Sequence, residues 1–243
     1  MIERLNKLIA RTGLASRRKA DILIEQGRVS VNGSPASVGQ RVDPLGDEVV
    51  VDGVVLPLDP ELTTWLVYKP AGVVSTMSDP QERPTVRELV PDTPVTNPVG
   101  RLDLHSEGLL LMTNDGDLAL RVTHPRYGIE KTYHVLIDGP LAPSQVSRLT
   151  DGIELEDGVA RATRARVVDT SKGRTLVELT LTEGRNREIR RMFDAMDIEI
   201  VRLVRTSIAG ITDRTLSPGG YRALTFDEIR DIYAMSEIVA DDG

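Results

Sequence analysis

The sequence contains no cysteine and very few aromatic residues. The absence of cysteine excludes disulfide bonds, thiolate metal sites and cysteine nucleophiles, and it is typical of a reducing compartment. Aromatic residues make up only 3% of the chain, so aliphatic side chains must supply most of the core packing. No apolar run reaches the roughly 18 residues needed to cross a bilayer, and the charged start has no signal-peptide core. We therefore expect a cytoplasmic protein without a membrane partner.

The net charge of -7 over 243 residues argues at first against a nucleic-acid partner. The distribution of charge matters more than its sum. From Met1 to Ser30 the chain has seven Lys or Arg against three acids, whereas from Phe226 to Gly243 it has six acids against Arg230. A polyanion can therefore bind at the basic end of an acidic protein. The acidic end, residues 236–243, is predicted to be a disordered tail.

The first sixty residues have the pattern of a small separate module. Apolar residues between Leu5 and Ile9 follow helical spacing, and Gly13 can close that helix. A second helix is predicted from the N-cap Ser16 to Gly27. An alternating strand then ends at the turn-forming pair Asn32–Gly33. The segment "LPLDPELT" follows this module and has the composition of a linker.

A basic cluster lies where these two helices meet. A helix N-terminus offers N–H groups to a phosphate, although most such charge runs form an ordinary solvated face. The segment "TGLASRRKADILIEQGRVSVNG" resembles the S4-like RNA-binding domain first described in a small-subunit ribosomal protein. This resemblance implies an RNA-binding domain over residues 1–60, with candidate contacts at Arg11, Ser16, Arg17, Arg18 and Lys19.

From Trp65 onward, strand and helix patterns are mixed without strict alternation. This mixture favours a mixed, largely antiparallel sheet flanked by helices over a doubly wound parallel one. The fold class is thus α+β, with a small N-terminal α/β domain followed by a larger unit over residues 61–235.

Three segments of the larger unit carry residues that are suited to chemistry. Asp103 precedes the apolar run "GLLLM", so a buried strand there would leave its carboxylate at the rim of the core, in need of a cationic partner. Arg190 falls between apolar positions of the helix in "EGRNREIRRMFDAMD", and Arg187 lies at its start. In "EKTYHV", Lys131 and Tyr133 would share one face of a strand. Each feature also has an ordinary structural explanation: a turn aspartate, a solvated arginine and a packed tyrosine.

The segments "GRLDLHSEGLLLMTNDG", "KTY" and "EGRNREIRRM" together resemble the signature segments of the pseudouridine synthases, in particular the RsuA/RluB type that modifies ribosomal RNA. The resemblance implies that the chain isomerises a uridine of ribosomal RNA or a pre-ribosomal particle, with 23S favoured over 16S RNA, as a monomer without cofactor or metal. Ser106 stands where the family usually has threonine. By the resemblance, Asp103 is the essential catalytic aspartate, Arg190 pairs with it, and Tyr133 stacks on the base and serves in proton transfer. Arg101 helps to displace the flipped nucleotide, and Leu203 forms the apolar wall of the base pocket. Lys131 and Arg187 are further candidates for substrate binding.

Two alternatives remain open from the sequence alone. The chain could be a non-catalytic RNA-binding or ribosome-assembly factor with the same fold. It could also be a metal-dependent hydrolase that uses the acids near Asp115. "TNDGD" faintly resembles a calcium loop but lacks the distal glutamate, so we interpret it as a turn and a helix cap.

Overall fold

The computed structural model describes residues 2–44, 46–56 and 62–241, with side chains up to Ser236. The core of the predicted linker, Pro57–Glu61, lies outside the described residues. The chain divides into one compact unit of residues 1–64, 91–97 and 113–116 and a second of residues 65–90, 98–112 and 117–243. No helix within the described chain combines the length and the apolarity that crossing a membrane requires.

The first unit follows the local pattern of its sequence. Ser16 accepts a hydrogen bond from the backbone N–H of Lys19 and so caps the second helix as predicted. Asn32 and Gly33 both have positive φ, as the predicted tight turn requires. Aliphatic residues of both helices and of the strands form one small core. The elements are β1 (Glu3–Arg4), α1 (Leu5–Arg11), α2 (Arg17–Glu25), β2 (Val29–Val31), β3 (Ser34–Pro35), β4 (Arg41–Val42), β5 (Val49–Val51) and β6 (Val54–Val55).

The second unit contains most of a large sheet and four helices. Its strands are β7 (Thr64–Lys69), β8 (Asn97–Val99), β9 (Ser106–Thr113), β10 (Lys131–Asp138), β11 (Ile153–Leu155), β12 (Gly158–Ala160), β13 (Arg164–Ser171), β14 (Arg174–Leu181), β15 (Ile200–Ile208) and β16 (Tyr221–Ala223). Its helices are α3 (Gly116–Thr123), α4 (Pro143–Asp151), α5 (Glu188–Asp194) and α6 (Phe226–Asp241), with short 3₁₀ turns at Val86–Leu89 and Pro125–Tyr127.

The large sheet is mixed and largely antiparallel, which confirms the predicted α+β fold class. Its order is β13-β14-β10-β15-β9-β7-β16, and β8 also pairs with β9. Strand β10 runs antiparallel to both β14 and β15, whereas β15 and β9 are parallel. The junction of β15 and β9 therefore brings residues 203–205 beside residues 106–108, which follow Asp103 closely in the sequence.

Strand β9 is buried on both faces, which explains its continuous apolar run. Leu109 and Leu111 pack in a cluster with α3 and α6, whereas Leu110 and Met112 pack in another cluster with Val73 and Val86. A third cluster joins α4 and α5 to β10 and β14. Asp103, which lies in the loop before β9, is thus fixed at the end of one of the most deeply buried strands.

One local expectation, the length of the helix that carries Arg190, needs correction. The helix predicted over residues 186–197 is shorter, because Arg187 has left-handed geometry at φ 48° and α5 begins only at Glu188. Residues 236–241 of the predicted tail are the last residues of α6, whereas Asp242 and Gly243 lie outside the described residues. Ser236 anchors this end because its buried hydroxyl accepts a hydrogen bond from Arg121 and donates one to the carbonyl of Tyr233.

Candidate active site

Asp103 lies between β8 and β9 at the edge of a cavity. Its side chain is 31% exposed, so the carboxylate is in contact with solvent yet partly enclosed. Its carbonyl oxygen accepts a hydrogen bond from the Ser106 N–H at 3.0 Å, which closes a tight turn ahead of the strand. The strand end thereby presents one carboxylate in a defined place.

Arg190 of α5 is the cation nearest to this carboxylate in the described chain. Its Nε lies 3.9 Å from Asp103 Oδ2, which is an ion pair without a hydrogen bond. Its Nη2 donates to the carbonyl oxygen of His105 at 3.3 Å and to Ser106 Oγ at 3.4 Å. Burial lowers the pKa of the guanidinium, with Arg187 adding to the fall and Asp103 opposing it. Arg190 therefore pairs with the Asp103 carboxylate and also hydrogen-bonds His105 and Ser106, where β9 begins.

The cavity of about 80 Å³ beside Asp103 brings together most of the predicted site residues. Tyr133 from β10 and Leu203 from β15 form its apolar wall, and both are buried. Arg101, which is exposed, and Arg187, at the start of α5, also line it. Two strands, the loop before β9 and the start of α5 thus place an aromatic ring, an apolar side chain and several cations around one carboxylate.

Asp103 also lines a second cavity, of about 390 Å³. It shares Arg101, Leu102 and Asp103 with the first cavity. Apart from Leu104, its remaining lining comes from the loop after β7 and includes Ser75 and Arg83. Asp103 is therefore part of the lining of two cavities.

Lys131 is not among the residues that line either of these two cavities. It shares the buried face of β10 with Tyr133, as predicted from the alternation, but it is only 9% exposed. Burial, with a smaller contribution from nearby Arg205, lowers its pKa to about 8, while Glu188 opposes the fall. This lysine is therefore buried close to the site in sequence but is not in the cavity lining.

Sequence reasoning missed two buried ionisable residues near the site. Lys69, at the end of β7, is fully buried and donates to the carbonyl oxygens of Pro70 and Val73, both at 2.8 Å. Burial lowers its pKa to about 8, while Glu107 and Asp103 oppose the fall. Glu188 lines the cavity, and burial raises its pKa to about 7. Lys69 could have been noticed in the sequence, because it stands directly before a proline at the end of an apolar strand. No sequence pattern pointed to Glu188.

The basic cluster of the first unit divides into two groups. Arg11 forms an ion pair with Glu3 at 3.0 Å, and the hydroxyl of Ser16 is used as the helix cap. Arg17, Arg18 and Lys19 are exposed on the first turn of α2. The exposed first turn of α2 is therefore the part of this cluster best placed to meet a polyanion.

No group of three or more His, Asp or Glu residues suited to a metal ion occurs in the part of the chain that the structure describes. Asp115 instead uses its backbone N–H to donate to the hydroxyl of Thr113 in the turn before α3. This agrees with the interpretation of "TNDGD" as a turn.

Comparison with known proteins gives a consistent result. Residues 63–195 match the family model described as RNA pseudouridylate synthase, and residues 3–49 match the S4 domain. The chain is 44% identical over 235 residues to an uncharacterized RNA pseudouridine synthase of Mycobacterium leprae, which covers 95% of this chain and 92% of the relative. It is 38% identical over 240 residues to ribosomal large subunit pseudouridine synthase B of Bacillus subtilis, with 97% and 98% covered.

A solved structure described as a pseudouridylate synthase has the same fold. Its TM-score is 0.65 at 31% sequence identity, and the match covers 94% of this chain and 99% of the other. The similarity therefore includes the N-terminal module as well as the large sheet.

Proposed function

Because the chain belongs to the RNA pseudouridylate synthase family and is thus an isomerase with an N-terminal S4 domain, we propose that it converts a specific uridine of ribosomal RNA to pseudouridine, with Asp103 as the catalytic residue. The observation that carries the proposal is the grouping of Asp103, Arg190, Tyr133 and Leu203 around one cavity. The B. subtilis relative is named for the large ribosomal subunit, so we favour 23S over 16S RNA as substrate.

The proposed chemistry needs one well-placed carboxylate. The bond between the ribose C1′ and the uracil N1 breaks, the base turns, and a new bond joins C1′ to C5. The proton on C5 is lost and N1 gains one, so the net reaction is an isomerisation without redox change or cofactor. As the base leaves, C1′ acquires positive character, which a nearby carboxylate can stabilise or attack. Attack on the base and removal of a ribose proton are further first steps open to the same carboxylate.

The target uridine must leave its stack to reach a carboxylate at the end of a buried strand. Extrusion costs a few kcal/mol, which side chains that replace the lost contacts can offset. In the proposal, Tyr133 stacks on the base and serves in proton transfer, while Leu203 forms the apolar wall. The exposed Arg101 displaces the flipped nucleotide or fills the space that its base leaves in the stack. Arg187 contacts the substrate at the entrance of the cavity. Lys131, on the same buried face of β10 as Tyr133, contributes its charge to substrate binding.

The N-terminal module would hold the RNA while the larger unit carries out the reaction. We assign RNA binding to residues 1–60 and catalysis to residues 61–235, in a protein that acts as a monomer in the cytoplasm. Exposed cations at the start of α2 would contact phosphates without reading sequence. Recognition of the RNA by this module and recognition of the target base by the cavity are then separable functions.

Removal of the α2 cations should weaken the salt dependence of RNA binding. Each lost phosphate contact lowers the slope of log K against log salt concentration by about 0.7 to 0.9. For Arg17→Ala/Arg18→Ala we expect a slope smaller by roughly 1.5, measured by fluorescence anisotropy with an rRNA fragment between 50 and 300 mM KCl. Lys172→Ala, which removes an exposed cation from the β13–β14 turn, should leave the slope unchanged. An unchanged slope in the double variant would contradict the assignment.

The proposed activity can be tested with purified protein and in cells. The wild-type protein should release tritium from 5-tritiated uridine in 23S transcripts, because the C5 proton is lost when C1′ bonds to that carbon. Pseudouridine maps of rRNA from cells with and without the gene should differ at the target position. Binding to rRNA fragments without tritium release from either subunit's RNA, and with identical maps, would favour the non-catalytic assembly factor. Loss of activity with a chelator would favour the metal-dependent alternative.

A further inference from the structure

Ser75, in the loop after β7, holds the backbone of the residue before Asp103. Its hydroxyl donates to the carbonyl oxygen of Leu102 at 2.9 Å and accepts from the N–H of Leu102 at 3.0 Å. Ser75 and Leu102 are both buried, so one hydroxyl satisfies both backbone groups of a residue 27 positions away. This contact fixes the chain immediately ahead of the carboxylate.

The residues after Asp103 are held as well. The N–H of Gly72 donates to the carbonyl oxygen of Leu104 at 2.8 Å, so segment 72–75 binds the chain on both sides of Asp103. Arg190 binds the carbonyl of His105 from α5. The carboxylate's ion pair with Arg190 lacks a hydrogen bond. The position of the Asp103 carboxylate therefore depends chiefly on how the backbone of residues 102–105 is held.

Segment 72–75 is itself a firm support. Lys69 donates to the carbonyl of Val73, and Val74 exchanges backbone hydrogen bonds with Pro84 and Val86. Because its surroundings hold Ser75 in place, its hydroxyl can transmit that position to the loop that carries Asp103.

We propose that Ser75 is a positioning residue for pseudouridine formation, which sets where the Asp103 carboxylate stands in the cleft through the two hydrogen bonds of its hydroxyl to the Leu102 backbone. The proposal rests on the proposed function, because it assumes that Asp103 carries the reaction. A misplacement of about 1 Å at a reacting group can cost about 10²-fold in rate. Loss of the hydroxyl should therefore lower turnover and leave RNA binding intact.

The test compares Ser75→Ala with Thr175→Val. Thr175 is a matched control because its buried hydroxyl donates to the carbonyl of Gly139, at the far end of β14 from the site. For Ser75→Ala we expect kcat to fall about 30- to 100-fold, with KM for the RNA within twofold of wild type. Thr175→Val should lower Tm by a similar few degrees and keep kcat within twofold. If the kcat of Ser75→Ala stays within threefold of wild type, or if both variants lose kcat in parallel with Tm, the proposal fails.

Two further variants keep the outcomes distinct. Ser75→Cys retains the size of the side chain with weaker hydrogen bonding, and it replaces the alanine variant if that one does not fold. In a folded Ser75→Cys protein we expect kcat at least fivefold lower at unchanged KM, and an unchanged kcat overturns the proposal. Asp103→Asn is assayed in parallel. If that variant remains active, the proposed function fails, whereas an inactive Asp103→Asn beside a fully active Ser75 variant refutes only the role of Ser75.

Discussion

Asp103→Asn is expected to reduce pseudouridine formation by about 10³-fold or more, because it removes the only charge proposed to act on the ribose or the base. Asparagine has nearly the same size and can keep the loop packing. What disappears is the negative charge that stabilises or attacks C1′, together with the partner of the Arg190 guanidinium. RNA affinity should stay within about threefold, since phosphate contacts supply most of it.

The measurement pairs tritium release under single-turnover conditions with the Kd for the same RNA. Asp138→Asn is the matched control, because that carboxylate is exposed at the end of β10 and pairs with Arg174. The control variant should retain wild-type turnover. More than a tenth of wild-type activity in Asp103→Asn, with proven freedom from wild-type contamination, would exclude Asp103 as the catalytic group.

Gly108→Ala is expected to destabilise the second unit by roughly 3 to 5 kcal/mol, enough to lower Tm by about 10 °C or to prevent soluble expression. Gly108 is the third residue of β9, has φ +104°, and pairs with Arg205 across the parallel junction. A Cβ added there would lie 2.2 Å from the carbonyl oxygen and 2.7 Å from the nitrogen of Arg205. Both of these atoms belong to the backbone of Arg205, which cannot rotate away as a side chain can. The added Cβ can therefore be accommodated only if β9 and β15 move apart.

Gly173→Ala separates the two parts of this effect. Gly173 has φ +74° in the β13–β14 turn, but a Cβ there would meet nothing within 4 Å. This control carries the cost of positive φ, about 1 kcal/mol, without the steric clash. Thermal unfolding should show a much larger drop for Gly108→Ala than for Gly173→Ala. Equal decreases in Tm for the two variants would show that the clash between the added Cβ and the backbone of Arg205 costs no stability.

Local chemistry made several elements predictable. The cap at Ser16 and the cap at Thr225, whose hydroxyl accepts from Glu228 while Glu228 accepts from Thr225, depend on residues three positions apart. The Lys172–Gly173 turn and the buried run of β9 likewise follow from short-range patterns. The exact start of α5 was not predictable, because the left-handed conformation of Arg187 is unusual for a side chain of its kind.

The sequence by itself determined the α+β class, the family and which residues are candidates for the site, because those depend on periodicity, turn chemistry and short signature segments. Only the tertiary structure decided how those candidates are arranged. Lys131 is buried but does not line the cavity, Arg190 binds backbone as well as pairing with Asp103, and Ser75 supports the aspartate from a distant loop. Such relations join residues 27 to 85 positions apart, and their distances arise from packing that no local pattern encodes.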